Sequence, residues 1–276
     1  MDTRALAAIA RQEFMINVRN RWTVIFALVF GVLVVSVSYA GIMAEGFSGM
    51  QNFTRTSASL LNLVLYVVPL VALTMGTLAF TGDKGSTELL FSQPVSRGVV
   101  VVGKLLGVFG SIALSTLIGF SVAGVIIVSD QGTDGFMRYA LFVMLSLLLS
   151  LSFLSLALLI ATAGKRKARV FGIALFLWFF FVVFYDLLVL AGTLALKGET
   201  ATTVLFLSLF ANPVDMVRVA SLIALDDVAI FGAAGAALVR FFGGGGASIA
   251  LLAAGLTAWV LLPLEAARRM LRRQDI

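Results

Sequence analysis

Asp186, preceded by Tyr185, is the one acidic side chain well inside a long apolar run of this chain. A charge inside such a run is costly in lipid, so it is a functional candidate by default. A Tyr-Asp pair in a span raises intramembrane aspartyl proteolysis, but that chemistry needs a second carboxylate to share one proton. The nearest match to the required Gly-x-Gly-Asp is Thr81-Gly82-Asp83, with Phe80 where the first glycine should stand, in a loop expected on the opposite side. Proteolysis is therefore only a remote alternative. Asp186 lies ~16 residues, or ~24 Å at the helical rise, from the basic end of its run. It is expected near the outer end, where water or an outer basic residue can satisfy it.

Cysteine and histidine are both absent. That excludes disulfides, Cys- or His-ligated metals, and Ser-His or Cys-His nucleophilic pairs. No Gly-x-x-x-x-Gly-Lys-Ser/Thr phosphate loop occurs: Gly103-Lys104 is followed by Leu105, and Gly164-Lys165 by Arg166. If ATP drives this protein, another chain binds ATP and Mg, and this one holds no cofactor. Thioethers are the only soft ligands available for Cu(I). The methionines expected near the outer face, Met43, Met50, Met137 and Met216, lack a Met-x-x-Met spacing and read as packing residues, with no metal site.

These residues are carried by six long apolar runs: Trp22–Met43, Ser57–Phe80, Leu105–Val128, Tyr139–Ala163, Val170–Leu196 and Ala247–Leu264. A helix needs ~20 apolar residues to cross a bilayer core. Hydrophobic residues make up 61% of the chain and charged ones 12%, half the charge of an ordinary soluble domain. The runs lack period-2 alternation, so helices and not a barrel are expected. The fold expected is one all-α membrane domain of six transmembrane helices over 1–276. Fifteen of the twenty Lys and Arg residues fall on one side if the spans alternate, leaving Arg55, Arg138, Lys197, Arg218 and Arg240 opposite. Both termini are therefore expected in the cytoplasm, in a multi-pass protein of the bacterial inner membrane. The net charge of +6 reflects this asymmetry and not nucleic-acid binding. The first apolar run exceeds the roughly 7–15 residues of a signal-peptide core, so it is read as a retained span.

Between the runs, residues 1–21 carry Leu6, Ala10, Phe14 and Val18 at four-residue spacing, with Ile9 beside them. That predicts an interfacial amphipathic helix, either an elbow docking on a cytoplasmic partner or a plain anchor. Residues 82–97 predict a short helix capped by Asp83 or Ser86 and stopped by Pro94, with Leu89, Leu90 and Phe91 needing cover. The third run bears a stripe of small residues, Gly103, Gly107, Ser111, Ser115, Gly119 and Ala123, that predicts a close helix contact, within the subunit or between two copies. Ser146, Ser150, Ser152 and Ser155 predict interhelical hydrogen bonds in the fourth run. Residues 197–246 are too apolar for a soluble loop and too broken for two good spans. They predict short re-entrant helices at the outer face, one capped by Asn212 with Pro213 first and Asp215 third. Gly243 to Gly246 predict a hinge before the last span.

Three stretches resemble the type-2 class of ABC transporter permeases, and within it the NosY-like permeases. They are Arg11-Gln12-Glu13-Phe14 with Arg19-Asn20-Arg21-Trp22, Gly85 to Arg97 with Gly103-Lys104, and Asn212-Pro213-Val214-Asp215 with Arg218. The resemblance implies an elbow helix, a coupling segment that inserts into an ATPase through Glu88, Leu89, Leu90, Phe91, Pro94 and Arg97, and an outer partner or gate site at Asn212, Pro213, Asp215 and Arg218. It also implies a homodimer bound to two ABC ATPase subunits in the lipid bilayer. In the NosY-like branch it implies a periplasmic β-helix protein and a role in the copper centre of nitrous oxide reductase, in denitrification. The alternatives are a type-2 exporter of lipid, drug or glycan, and a scaffold or secondary carrier without an ATPase. The latter is disfavoured because no inverted repeat is visible.

Overall fold

A computed structural model describes residues 3–45, 52–81, 96–164, 166–196, 199–224 and 244–273. Among the described residues every regular element is helical. In chain order these are α1 (Thr3–Val18), α2 (Arg21–Glu45), α3 (Asn52–Phe80), α4 (Arg97–Ala163), α5 (Lys167–Phe179), a π-helical segment (Phe180–Phe184), α6 (Tyr185–Ala195), α7 (Glu199–Ala211), α8 (Pro213–Ala224) and α9 (Gly245–Arg272). Five stretches are long and apolar enough to cross a membrane, or up to seven if each bent helix pair is one span. The five include two within α4, Arg97–Ser121 and Phe136–Ala163, and the continuous run Lys167–Ala195 through the π segment. The bent pairs are α1 with α2, at 68°, and α7 with α8, at 107°.

The helical stretch α4 doubles back on itself. In a straight helix Phe120 and Tyr139 would stand ~28 Å apart. Instead the Tyr139 hydroxyl donates to the Phe120 carbonyl at 2.7 Å, and their rings meet edge to face at 5.9 Å. Phe26, Phe30, Phe120 and Phe142 extend this aromatic contact to α2. The two halves of α4 form the centre, and α1, α2, α3 and α9 all pack on them. Gly76 of α3 lets the second half come close, since a Cβ there would lie 2.6 Å from Leu154 Cδ1 and 2.7 Å from Ala157 Cβ.

The first half of α4 begins at Arg97, eight residues before the apolar run that predicts it. Lys104 breaks the hydropathy pattern there, but its Nζ lies 3.2 Å from Glu13 Oε1 on α1 and the pair is mostly covered. Val99 and Val100 join Ile9 in a separate small core.

The small-residue stripe packs inside the subunit. A Cβ on Gly103 would lie 2.8 Å from Ile9 Cγ2, and one on Gly107 would lie 2.5 Å from both the Ala10 carbonyl oxygen and Glu13 Cβ. Further along, Gly119 meets Phe30 and Gly31 of α2. Ser111 and Ser115 between them are buried and donate to carbonyls of their own helix. The side chain of Ala123 lies outside the described residues. The apolar stripe of α1 thus covers its own chain's α4, with Arg4, Arg11 and Arg19 on the exposed side.

The serine expectation needs correction. Ser146 and Ser150 donate to carbonyls of α4 itself, three or four residues back. Ser152 bonds its own helix and also reaches the Leu256 carbonyl of α9 at 3.3 Å, and Ser155 has no hydrogen-bond partner. A serine in a helix interior satisfies itself on the preceding turn unless a neighbour's carbonyl comes within reach.

Candidate functional site

Asp186, Asp215, Arg218, Asn212 and Tyr185 converge at the junction of α5–α6 and α7–α8. The chain turns 107° between Ala211 and Pro213. Asn212 holds the corner. Its Oδ1 accepts from the Val214 N–H at 3.0 Å, capping α8, and its backbone carbonyl accepts from Met216 N–H at 3.1 Å. Pro213 follows at the first helical position, where no N–H is needed. Asn212 Nδ2 donates to Asp215 Oδ2 at 2.9 Å and to the Phe181 carbonyl at 3.0 Å. Every polar atom of this fully buried side chain has a partner.

The Phe181 carbonyl is accessible because the span is π-helical there. The Tyr185 N–H reaches back five residues to Phe180, not four. Such a bulge inserts one residue and loosens the local ladder, a geometry frequent at functional sites. Directly after it stands Asp186. Arg218 Nη1 lies 2.9 Å from Asp186 Oδ2 and 2.6 Å from Asp215 Oδ1. The basic residue that pairs with Asp186 is therefore Arg218, one helical turn beyond Asp215. Tyr185 donates to the Ser208 carbonyl of α7 at 2.7 Å, and Trp259 of α9 donates to the Phe210 carbonyl at 3.0 Å.

The result is a part-buried cluster of two carboxylates and one guanidinium. A protease dyad holds a shared proton between its carboxylates; here a fixed cation bridges them. The arrangement ties the Lys167–Ala195 stretch to the α7–α8 hairpin. Met216 is fully buried beside it, with its sulfur 2.8 Å from where a Gly255 Cβ would stand, so it acts as packing.

Of the residues expected to contact an ATPase, Glu88, Leu89, Leu90, Phe91 and Pro94 lie outside the described residues, as do Asp83 and Ser86. Arg97 is described. Its Nη1 donates to the Leu271 carbonyl in the last turn of α9 at 2.9 Å. Gly98 beside it lies under the Arg268 guanidinium, where a Cβ would stand 3.1 Å from Nη2. Sequence reasoning missed Trp259, Phe181 and the Lys104–Glu13 pair. Only the pair left a signal, as a carboxylate on the packing face of α1 asks for a cation.

The ABC-2 family of transporter proteins matches residues 7–276, and this chain belongs to that family. A probable ABC transporter permease, NosY, of Pseudomonas aeruginosa is 33% identical over 274 residues, covering 97% of this chain and 98% of its own length. A NosY permease of Stutzerimonas stutzeri, described in the same words, is 34% identical over 220 residues, covering 78% of this chain and 80% of its own length. The protein is a multi-pass, permease-type membrane chain similar to NosY.

Proposed function

We propose that this chain is the membrane subunit of an ATP-binding cassette transporter of the inner membrane, paired with a second copy and driven by a separate ATPase. The single observation that carries this reading is the family match across nearly the whole chain together with near-full-length similarity to NosY permeases. Six spans with both termini in the cytoplasm place residues 82–97 on the ATPase side and the Asn212–Arg218 corner at the outer face, in keeping with the loop charges. The elbow role belongs to α1, the coupling role to Glu88, Leu89, Leu90, Phe91, Pro94 and Arg97. The outer contact is a periplasmic β-helix protein, and the task is copper delivery or mechanical signalling in maturation of nitrous oxide reductase. The tied corner around Arg218 favours signalling, because it links a span rigidly to a surface hairpin. ATP and Mg stay on the partner.

The test is to express the chain with its neighbouring genes, purify it, and identify copurifying proteins by mass spectrometry. An ATPase together with a periplasmic β-helix protein is the expected result. An ATPase alone returns the cargo to lipid, drug or glycan. No ATPase overturns the reading. In the intact complex, Glu88→Lys or Leu90→Asp should uncouple ATP turnover while the protein stays in the membrane. Unchanged coupling in both removes the proposed role of 82–97.

A further inference from the structure

We infer that α9 is a mechanical linkage between the start of α4 and the ionic corner around Arg218, with Arg97 and Trp259 as the positioning residues at its two ends; this rests on the permease reading above. At one end, Arg97 occupies a carbonyl of the last turn of α9, a group with no partner inside the helix. The absent side chain of Gly98 lets the Arg268 guanidinium lie on the α4 backbone, and Arg268 Nε is buried there with no hydrogen-bond partner. The contact is thus made by packing and by the Arg97 bond, and the two helix ends move together.

At the other end, Trp259 touches both sides of the corner. Its indole N–H holds the Phe210 carbonyl, two residues before Asn212. Its ring meets Phe181 edge to face at 5.5 Å, and the Phe181 carbonyl is the one that Asn212 grips. Gly255, one turn earlier, packs on Met216 of α8, and Gly245 packs on Ile223. A rotation of α9 therefore pushes the π segment and the α7–α8 bend at once.

Between the ends, Trp259 and Leu271 are ~18 Å apart along the helix. Pro263 lies between them and is buried. It lacks the N–H that would bond the Trp259 carbonyl, yet the helix continues through it from Gly245 to Arg272. One continuous helix thus joins foot to head, and displacing the foot tilts Trp259 against the corner.

Because the chain has no cysteine, one introduced thiol reports cleanly. Leu207 on α7 is exposed and three residues from Phe210. The permease and its ATPase are placed in lipid nanodiscs, and the maleimide labelling rate of Leu207→Cys is read with and without ATP and vanadate, per bound ATPase. The nucleotide is expected to change the rate. Arg97→Ala and Trp259→Phe should each shrink that change roughly threefold or more, within the range seen when coupling elements are altered. Arg97→Lys, which still donates to Leu271, should keep part of it. The double variant should lose no more than the worse single, as one linkage requires. A full nucleotide response in either folded variant overturns the linkage, and so does a bound ATPase with no response at Leu207. If Arg97→Ala fails to assemble, Trp259→Phe decides alone. If no ATPase binds the unaltered chain, the permease reading falls first.

Discussion

Arg218 and Asp186 are 32 residues apart in sequence and 2.9 Å apart in space. Their contact joins a helix that crosses the bilayer to one that turns back. Because Arg218 also holds Asp215, its removal leaves two carboxylates facing each other. Arg218→Ala should lower stability by ~1–3 kcal/mol, less than a fully buried pair would lose because Asp186 is partly exposed. Adding Asp186→Asn to Arg218→Ala should recover part of the loss. Thermal unfolding in detergent measures both, and equal or additive losses would mean that the bridge carries no energy.

Asn212 is fully buried and its side chain makes three hydrogen bonds. Asn212→Ala should cost ~1–3 kcal/mol, since the Phe181 carbonyl and the Val214 N–H lose a partner. Asn212→Asp keeps the cap acceptor but aims a carboxylate at Asp215 and at a carbonyl, so it should be the worse of the two. A thermal scan in which Asn212→Asp equals the native chain would exclude the corner as described.

Gly107→Ala should displace α1 from α4, since both neighbouring atoms at 2.5 Å belong to α1's backbone or its Cβ. Overpacking of this kind costs ~1–3 kcal/mol. Gly172→Ala is the control: nothing lies within 4 Å of its Cβ position, and alanine is the better helix former by ~1 kcal/mol. Loss of stability in the first and none in the second is the expected pair of melting curves.

Orientation is tested by single thiols in the cysteine-free chain. Arg273→Cys and Ala168→Cys, both at exposed positions, should react with an impermeant maleimide only after the cytoplasmic side is opened. Labelling in intact spheroplasts would reverse the topology.

Much of this architecture is legible in the residues, because lipid enforces a single rule, that long apolar runs become helices. Asn212-Pro213-x-Asp215 is likewise readable as a capped helix start, since a cap is local chemistry within four residues. The early start of α4 is not. Lys104 looks like the end of a loop until Glu13, ninety-one residues earlier, supplies its counter-charge. The small-residue stripe announces a close contact without saying with what. Asp186 calls for an outer cation, and several were available. The serines of α4 mislead for the opposite reason: a hydroxyl finds its own helix more easily than a neighbour's. The π segment has no periodic signal, because Phe180 to Phe184 suits an α-helix equally well.

That segment has a consequence for chain length. A deletion of one residue between Phe180 and Phe184 would let the span relax to ordinary α-helix, still long enough and still apolar. It would also turn everything after it by ~100° and draw it back by ~1.5 Å. Asp186 would then face away from Arg218, and Asn212 would find the Phe181 carbonyl already taken. Substitutions among these five aromatic and β-branched residues keep the register, whereas a change in their number does not. In this stretch the number of residues sets the register, whatever the side chains.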